Sequence, residues 1–339
     1  MRFSQFFNSW LYDSDGYYAK FRAIGKGGDF YTSVSSSMFF GGSVANRFIK
    51  VIESGFLPQD TTIVEIGAHQ GYMLADVVQF IYTLKPELLN SVNFAIVEPF
   101  SENVKAQIEY FKQSFGSKIK LKHYNSLKQL SLKSAFVISN EIFDAFACEI
   151  IKDDKMLHVE DNFKLIFKPM SEDIKKLSTN QNIDKGELCI GFEEFGKDLK
   201  NAIDKFEFVS FDYGELQKRE DFSIRVYHKH KSYPFFELSD FVESDLDIKI
   251  RDLYKKSDIT YDVNFSHLID SFKKEGIKLE SFKTQLAMLV DFGIIELLDM
   301  LRINATKDVY ISELNRAKVL IDPSFLGERF KGIIFRREI

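Results

Sequence analysis

Three short stretches carry residue types that could do chemistry. The first is Val64-Glu65-Ile66-Gly67-Ala68-His69-Gln70-Gly71-Tyr72, where two glycines bracket a short loop and an acid stands two positions before the first of them. Glycines allow backbone to pass close to a ligand, and a helix start behind them offers free N–H groups. The second is Ala95-Ile96-Val97-Glu98-Pro99, in which the Glu98 carboxylate can accept hydrogen bonds from both hydroxyls of a ribose. The third is Asn140-Glu141-Ile142-Phe143-Asp144-Ala145. Its two carboxylates, Glu141 and Asp144, suit a cationic acceptor: they can hold a guanidinium by paired hydrogen bonds and favour proton loss from it. Each stretch also has a plainer reading. The glycine loop could be an ordinary strand-to-helix turn, and Asn140 could cap a helix whose first turn the acids favour.

The elements that must position these residues follow from the hydrophobic pattern. From residue 62, short β-branched runs alternate with longer amphipathic stretches, as βαβ units around a parallel sheet require. Strands are expected at Thr62 to Ile66, Asn93 to Val97, Lys118 to Lys122, Ala135 to Ser139 and Glu207 to Phe211. Helices are expected at Tyr72 to Leu84, ending before Pro86, and from Ser101, as N-cap, to about Phe115. The glycine loop thus joins the first strand to the first helix, and Glu98 closes the second strand. That is where a doubly wound sheet binds a nucleotide-like group.

Between the fourth and fifth strands, Glu149 to Lys168 reads as an antiparallel meander broken by two charged turns, followed by a polar loop or short helix from Ser171 to Lys185. A strand is expected at Ser223 to Lys229, a helix at Phe265 to Lys274, and a closing strand pair at Ile277 to Phe282 and Phe330 to Arg336. The domain plan is an N-terminal segment 1–45, a first core half 46–148, an insertion 149–205, and a second core half 206–339 with a helical insertion around 232–275. Leu286 to Leu301 is apolar but interrupted by Asp291, Glu296 and Asp299, so it reads as one core-facing helix and not a membrane span.

Composition narrows the classes. With 339 residues the chain can bury a large core without staples. Two cysteines, Cys148 and Cys189, support neither a disulfide framework nor a structural zinc site. His228 and His230 share a face but lack companion ligands, so no metal site is expected. A net charge of −5 argues against a dedicated nucleic-acid binder. The start MRFSQFFNSW has no signal- or transit-peptide pattern, which leaves a cytoplasmic location as the expectation.

The glycine loop lacks the G-x-G-x-x-G spacing of a dinucleotide site, which weakens a nicotinamide dehydrogenase reading. It is similar instead to the E-x-G-x-G-x-G loop of class I S-adenosylmethionine-dependent methyltransferases, with His69 in place of the middle glycine. Beyond this, the chain resembles the MidA-like methyltransferases nearly end to end. Leu11-Tyr12-Asp13 with Gly16-Tyr17-Tyr18, and Gly28-Asp29-Phe30-Tyr31-Thr32-Ser33, look like the family's opening and its G-D-F-x-T-S signature. Asn140 to Ala145 looks like its N-E-F-F-D-A motif. Asp212-Tyr213-Gly214, Arg225 to His230, and Asp258-Ile259-Thr260 with Val263-Asn264-Phe265 resemble its later segments. The chain departs from the family at Val34 to Ser37, at Gly42, where an acid is usual, and at His69.

The resemblance implies an α/β class I methyltransferase (Rossmann-like) fold, with a mostly parallel sheet, an inserted β-meander and helical substrate-capping segments. It implies S-adenosyl-L-methionine as cofactor, held by Glu65, Gly67, Ala68, His69, Gly71, Glu98, Pro99 and Asn140. It also implies methylation of an arginine in a protein such as a respiratory complex I subunit, with Asn140, Glu141 and Asp144 at the acceptor and Asp29 and Asp212 as second choices. The expected partner is a protein substrate, without nucleic acid or membrane insertion, and a homodimer is left open. The competing reading is a catalytically weak, methyltransferase-like assembly factor.

Overall fold

The computed structural model describes residues 1–19, 32–240, 242 and 245–338. They form two compact units. The first comprises Met1–Phe30, Phe143–Phe195 and Gly214–Phe272, and the second Tyr31–Ile142, Gly196–Tyr213 and Lys273–Ile339.

The second unit is built on a twisted sheet whose strands run in the order Lys278–Thr284, Phe330–Arg337, Ile203–Glu215, β4 (Leu132–Asn140), β1 (Thr62–Ile66), β2 (Asn93–Val97), β3 (Leu121–Tyr124). The pairs from Ile203–Glu215 through β4, β1 and β2 to β3 are all parallel. Phe330–Arg337 is antiparallel to both of its neighbours. This is the α/β, mostly parallel sheet that the strand and helix pattern led one to expect. Alternate residues of the strands, among them Ile63, Phe94, Ile96, Phe136, Ile138, Val209 and Phe211, enter one apolar core. The period of two along each strand puts them on one face, and helices Phe39–Glu53, Tyr72–Leu84, Ile294–Asn304 and Lys307–Ile321 supply apolar residues to the same core.

The first unit holds two antiparallel sheets. One has the order Leu165–Pro169, Lys155–Val159, Cys148–Lys152, Lys185–Cys189, which is the expected meander with a fourth strand added. The other pairs Arg225–His228 with Lys231–Pro234 and with Asp258–Thr260. Helix Phe3–Tyr12 buries Phe3, Phe6, Phe7 and Trp10 in this unit, and the Trp10 indole donates to the Ser257 carbonyl at 2.6 Å.

Several expectations need correcting. The third strand starts at Leu121 and not Lys118, because Gly116, at φ 63°, ends the preceding helix and Lys118 N turns back to Phe115 O at 3.2 Å. The apolar run from Leu286 is two helices, Gln285–Asp291 and Ile294–Asn304. They part at Gly293, at φ 90°, where Asn46 Nδ2 takes the Phe292 carbonyl at 2.7 Å. The strand expected to run through Lys229 ends at His228, so His230, at φ 62°, lies in the turn beyond it and shares no strand face. Among the described residues no helix is long and apolar enough to cross a membrane.

Candidate functional site

At the carboxyl ends of β4, β1 and β2, three neighbouring strands in the second unit, stand Asn140, the Gly67–Gly71 loop and Glu98. The loop is held in a left-handed conformation at three places, Gly67 (φ 70°), His69 (φ 47°) and Gly71 (φ 77°). Such values cost a side chain about 1–2 kcal/mol, so His69 carries strain that the glycines avoid. A Cβ on Gly67 would lie 2.9 Å from Ile142 Cγ2, and one on Gly71 3.2 Å from the Phe111 ring. Gly67 N donates to Val97 O at 3.2 Å and Gly71 N to Ala68 O at 2.7 Å, which folds the loop over the gap between β1 and β2. Ala68 is buried under it.

Glu65 explains the acid before the first glycine. It is buried on β1, and its carboxylate accepts from Leu74 N at 3.1 Å, closing the first turn of helix Tyr72–Leu84 from a distance. Burial pushes its carboxyl up to about 8, and burial likewise pushes Asp76, on that helix, up to about 7.

Glu98 lies just past β2, and its own N–H donates to Tyr124 O at 2.8 Å. Pro99 has no N–H, so the first backbone donor that reaches the carboxylate is Phe100 N, at 3.0 Å. This contact, and not a Ser101 cap, organises the start of the following helix, in which Ser101 is the first helical residue and Phe100 the cap. Gln107 Nε2 reaches the other carboxylate oxygen at 3.4 Å. Burial raises the Glu98 carboxyl above its ordinary range, opposed by hydrogen bonds from Phe100, Asn103 and Gln107. No cation approaches it in the hydrogen bonds and ion pairs of the described residues.

Asn140 ends β4 without opening an α-helix; a 3-10 turn, Phe143–Ala145, comes next. The capping reading therefore does not apply. Asn140 Nδ2 donates to Glu141 Oε1 at 2.7 Å, while its Oδ1 is buried and has no partner among the described residues. Glu141 sits at φ 52° with its N–H on Phe211 O at 2.8 Å. Backbone strain of this kind in a non-glycine residue concentrates at functional sites. Asp212 is buried, and its carboxylate accepts from Tyr213 N at 2.9 Å.

Asp144 belongs to the first unit. Its carboxylate accepts from Thr260 Oγ1 at 2.6 Å and its carbonyl from Tyr261 N at 3.4 Å. Around it converge segments far apart in sequence. Tyr12 donates to Ala145 O at 2.8 Å, Tyr18 to Asp258 at 3.0 Å, and Val263 pairs with Gly214 so closely that a Cβ there would lie 2.1 Å from Val263 O. Thr260, in the family-like segment Asp258-Ile259-Thr260, lies at the end of a strand, and its contact with Asp144 is not marked by the two flanking acids. Asp29 lies outside the described residues. His228 Nδ1 is 2.9 Å from Ser257 Oγ.

The departure at Gly42 has a packing cause. A Cβ there would stand 2.7 Å from the Phe80 ring, and one on Gly41 2.5 Å from Asp76 Cβ, so helix Phe39–Glu53 meets helix Tyr72–Leu84 through two glycines. No acid fits at 42 while Phe80 occupies that space.

The glycine-lined loop, a buried carboxylate near it and the orphan Asn140 oxygen fit an adenosyl amino acid: close backbone approach, an acceptor for hydroxyls, and an acceptor for an amino group. A Burkholderia thailandensis protein crystallised with S-adenosyl-homocysteine is similar to this chain, with a TM-score of 0.81, 21% identity, and 99% of this chain and 88% of that one covered. A native crystal structure of a protein from the same superfamily and organism gives a TM-score of 0.78 at 20% identity, over 99% and 87% of the two chains. A family model described as "Putative S-adenosyl-L-methionine-dependent methyltransferase" matches residues 43–283, more than half of the chain. The chain belongs to this family of methyltransferases, and its cofactor is S-adenosyl-L-methionine.

Proposed function

We propose that the chain transfers a methyl group to an arginine of a protein, with a respiratory complex I subunit or a similar protein as the acceptor that the MidA-like resemblance implies. The observation that carries this reading is the strained Asn140-Glu141 pair at the end of β4, beside the Gly67–Gly71 loop: Asn140 Oδ1 is buried without a partner among the described residues, and Glu141 is held at φ 52°. When bound, the cofactor supplies an electrophilic methyl group on a sulfonium. The residues proposed to hold it are the loop backbone from Gly67 to Gly71, Glu98 at the ribose, with Glu65 and Pro99 fixing the ends of their strands, and Asn140 Oδ1 at the amino group.

Glu141 is proposed to orient the guanidinium by charge-assisted hydrogen bonds and to favour departure of its proton. Asp144, oriented by Thr260, is proposed as a second acid for the acceptor. Most of the rate enhancement in such a transfer comes from positioning and from charge complementarity. Arginine-containing peptides incubated with the protein and methyl-labelled S-adenosylmethionine test this directly. Label on arginine that is lost in Glu141→Ala supports it. Transfer only to lysine, to a carboxylate or to a small molecule would replace it, and cofactor binding with no transfer would favour the assembly-factor reading.

A further inference from the structure

Gln107 has a place that neither the loop motif nor the acid motif marks. It is fully buried on helix Ser101–Phe115 and makes three hydrogen bonds with its side chain. Its Nε2 donates to the carbonyl of His69 at 2.8 Å and toward Glu98 Oε2 at 3.4 Å, and its Oε1 lies 3.0 Å from His123 Nε2. Because the amide nitrogen faces two acceptors, its oxygen must face a donor, which fixes the His123 tautomer with the proton on Nε2. His123 stands on the edge strand β3, which pairs with β2 at Ile96.

The residue therefore ties three parts of the second unit together: the strained middle of the glycine loop, the acid beyond β2, and the edge strand. We infer that Gln107 is a positioning residue that sets the Glu98 carboxylate and the His69 turn in register for an adenosyl ribose, with His123 holding the amide the right way round. This inference rests on the cofactor site described above.

The Glu98 carboxylate has about four acceptor positions. Phe100 N takes one on Oε1, Gln107 takes one on Oε2, and the Asn103 side chain donates to the carboxylate as well. What is left serves a ligand's hydroxyls, and Gln107, with Asn103, decides which way it points. An aliphatic side chain at 107 would leave His69 O and His123 Nε2 without their buried partner and let the carboxylate turn. A glutamate there would set a second acid against Glu98.

The test is calorimetric titration of S-adenosylhomocysteine and its 2′,3′-dideoxy analogue into the full chain and into Gln107→Leu and His123→Phe variants. The expected result is that Gln107→Leu weakens S-adenosylhomocysteine about tenfold, the effect of one buried hydrogen bond, and weakens the dideoxy analogue less, so that the preference for the ribose hydroxyls narrows. His123→Phe moves the same ratio in the same direction. Equal losses for both ligands would reduce Gln107 to a packing role and overturn the inference, as would binding within twofold of the native chain. Should Gln107→Leu fail to fold, the ratio in His123→Phe decides. A native chain that does not bind S-adenosylhomocysteine overturns the site itself, an outcome distinct from a native chain that binds and a variant that binds equally well.

Discussion

Two buried carboxylates in the parallel-sheet unit show how differently one residue type is used in the same sheet. Glu207 pairs in register with Phe136, well before the carboxyl end of β4, and is fully buried. Arg47 grips it with two nitrogens at 2.7 and 2.8 Å, and Arg336 Nε adds a third contact at 2.8 Å. Glu98, past the carboxyl end of β2, is nearly as enclosed but among the described residues meets only neutral donors, from Phe100, Asn103 and Gln107. The first acid has its charge answered within the chain, so it stabilises the fold and has nothing left to offer. The second has no cation against it among the described residues and keeps acceptor positions, which the proposed function gives to a ligand. Burial alone does not separate structure from function; the identity of the partners does.

Substitutions should separate the two, and the largest effect is expected at Glu207. Glu207→Ala leaves the Arg47 guanidinium without its acid and Arg336 with Glu280 alone, and breaking a buried pair in this way costs about 3–5 kcal/mol. Urea denaturation should show that loss, while any folded fraction keeps its cofactor affinity. Glu98→Ala should do the reverse: about 1.5–3 kcal/mol of cofactor binding is lost, the range of hydrogen bonds to a charged group, with a thermal midpoint close to native. If Glu98→Ala instead unfolds the chain and binds normally when folded, the contrast fails.

A loop substitution comes next. Gly67→Ala forces a side chain into a φ of 70° and against Ile142, at about 1–2 kcal/mol. Calorimetry should find this mostly in the affinity for S-adenosylmethionine.

The most gradual effect is a slope with pH. Glu65 is raised by burial from 4.5 to about 8. Between those values the unfolded chain has released a proton that the folded chain keeps, so stability falls as pH rises from about 5 to 8 and levels above that. One proton corresponds to at most ~1.4 kcal/mol per pH unit. Urea denaturation at pH 5 to 8 should show a shallower slope in Glu65→Gln; an unchanged slope would leave Asp76, raised by burial to about 7, as its main source.

The parallel core was legible because its signals are local. Thr62 to Ile66 and Asn93 to Val97 are short β-rich runs bounded by turns, and Tyr72 to Leu84 is bounded by Gly71 and Pro86, so pattern alone located all three. What escaped depends on contacts between distant residues. The strand Lys185–Cys189 is defined by pairing with Cys148–Lys152, and its Lys-Gly start gives no period to read. The helix break at Gly293 is fixed by Asn46, far away in sequence. At the site, the loop and both acids could be named from spacing. That Glu65 faces Leu74 N, and that Thr260 and Gln107 are hydrogen-bonded to acids, needed the fold, because a lone Thr or Gln in a sequence carries no sign of what it faces.

The glycine contact between helices Phe39–Glu53 and Tyr72–Leu84 has a consequence for how related sequences diverge. The ring of Phe80 and a side chain at 42 compete for one volume. A side chain at 42 is then compatible with a smaller residue at 80 or with a Phe80 ring turned out of its present place, so the two positions are expected to change together. Where neither gives way, the two helices must sit further apart, and with them the start of the helix that follows the Gly67–Gly71 loop.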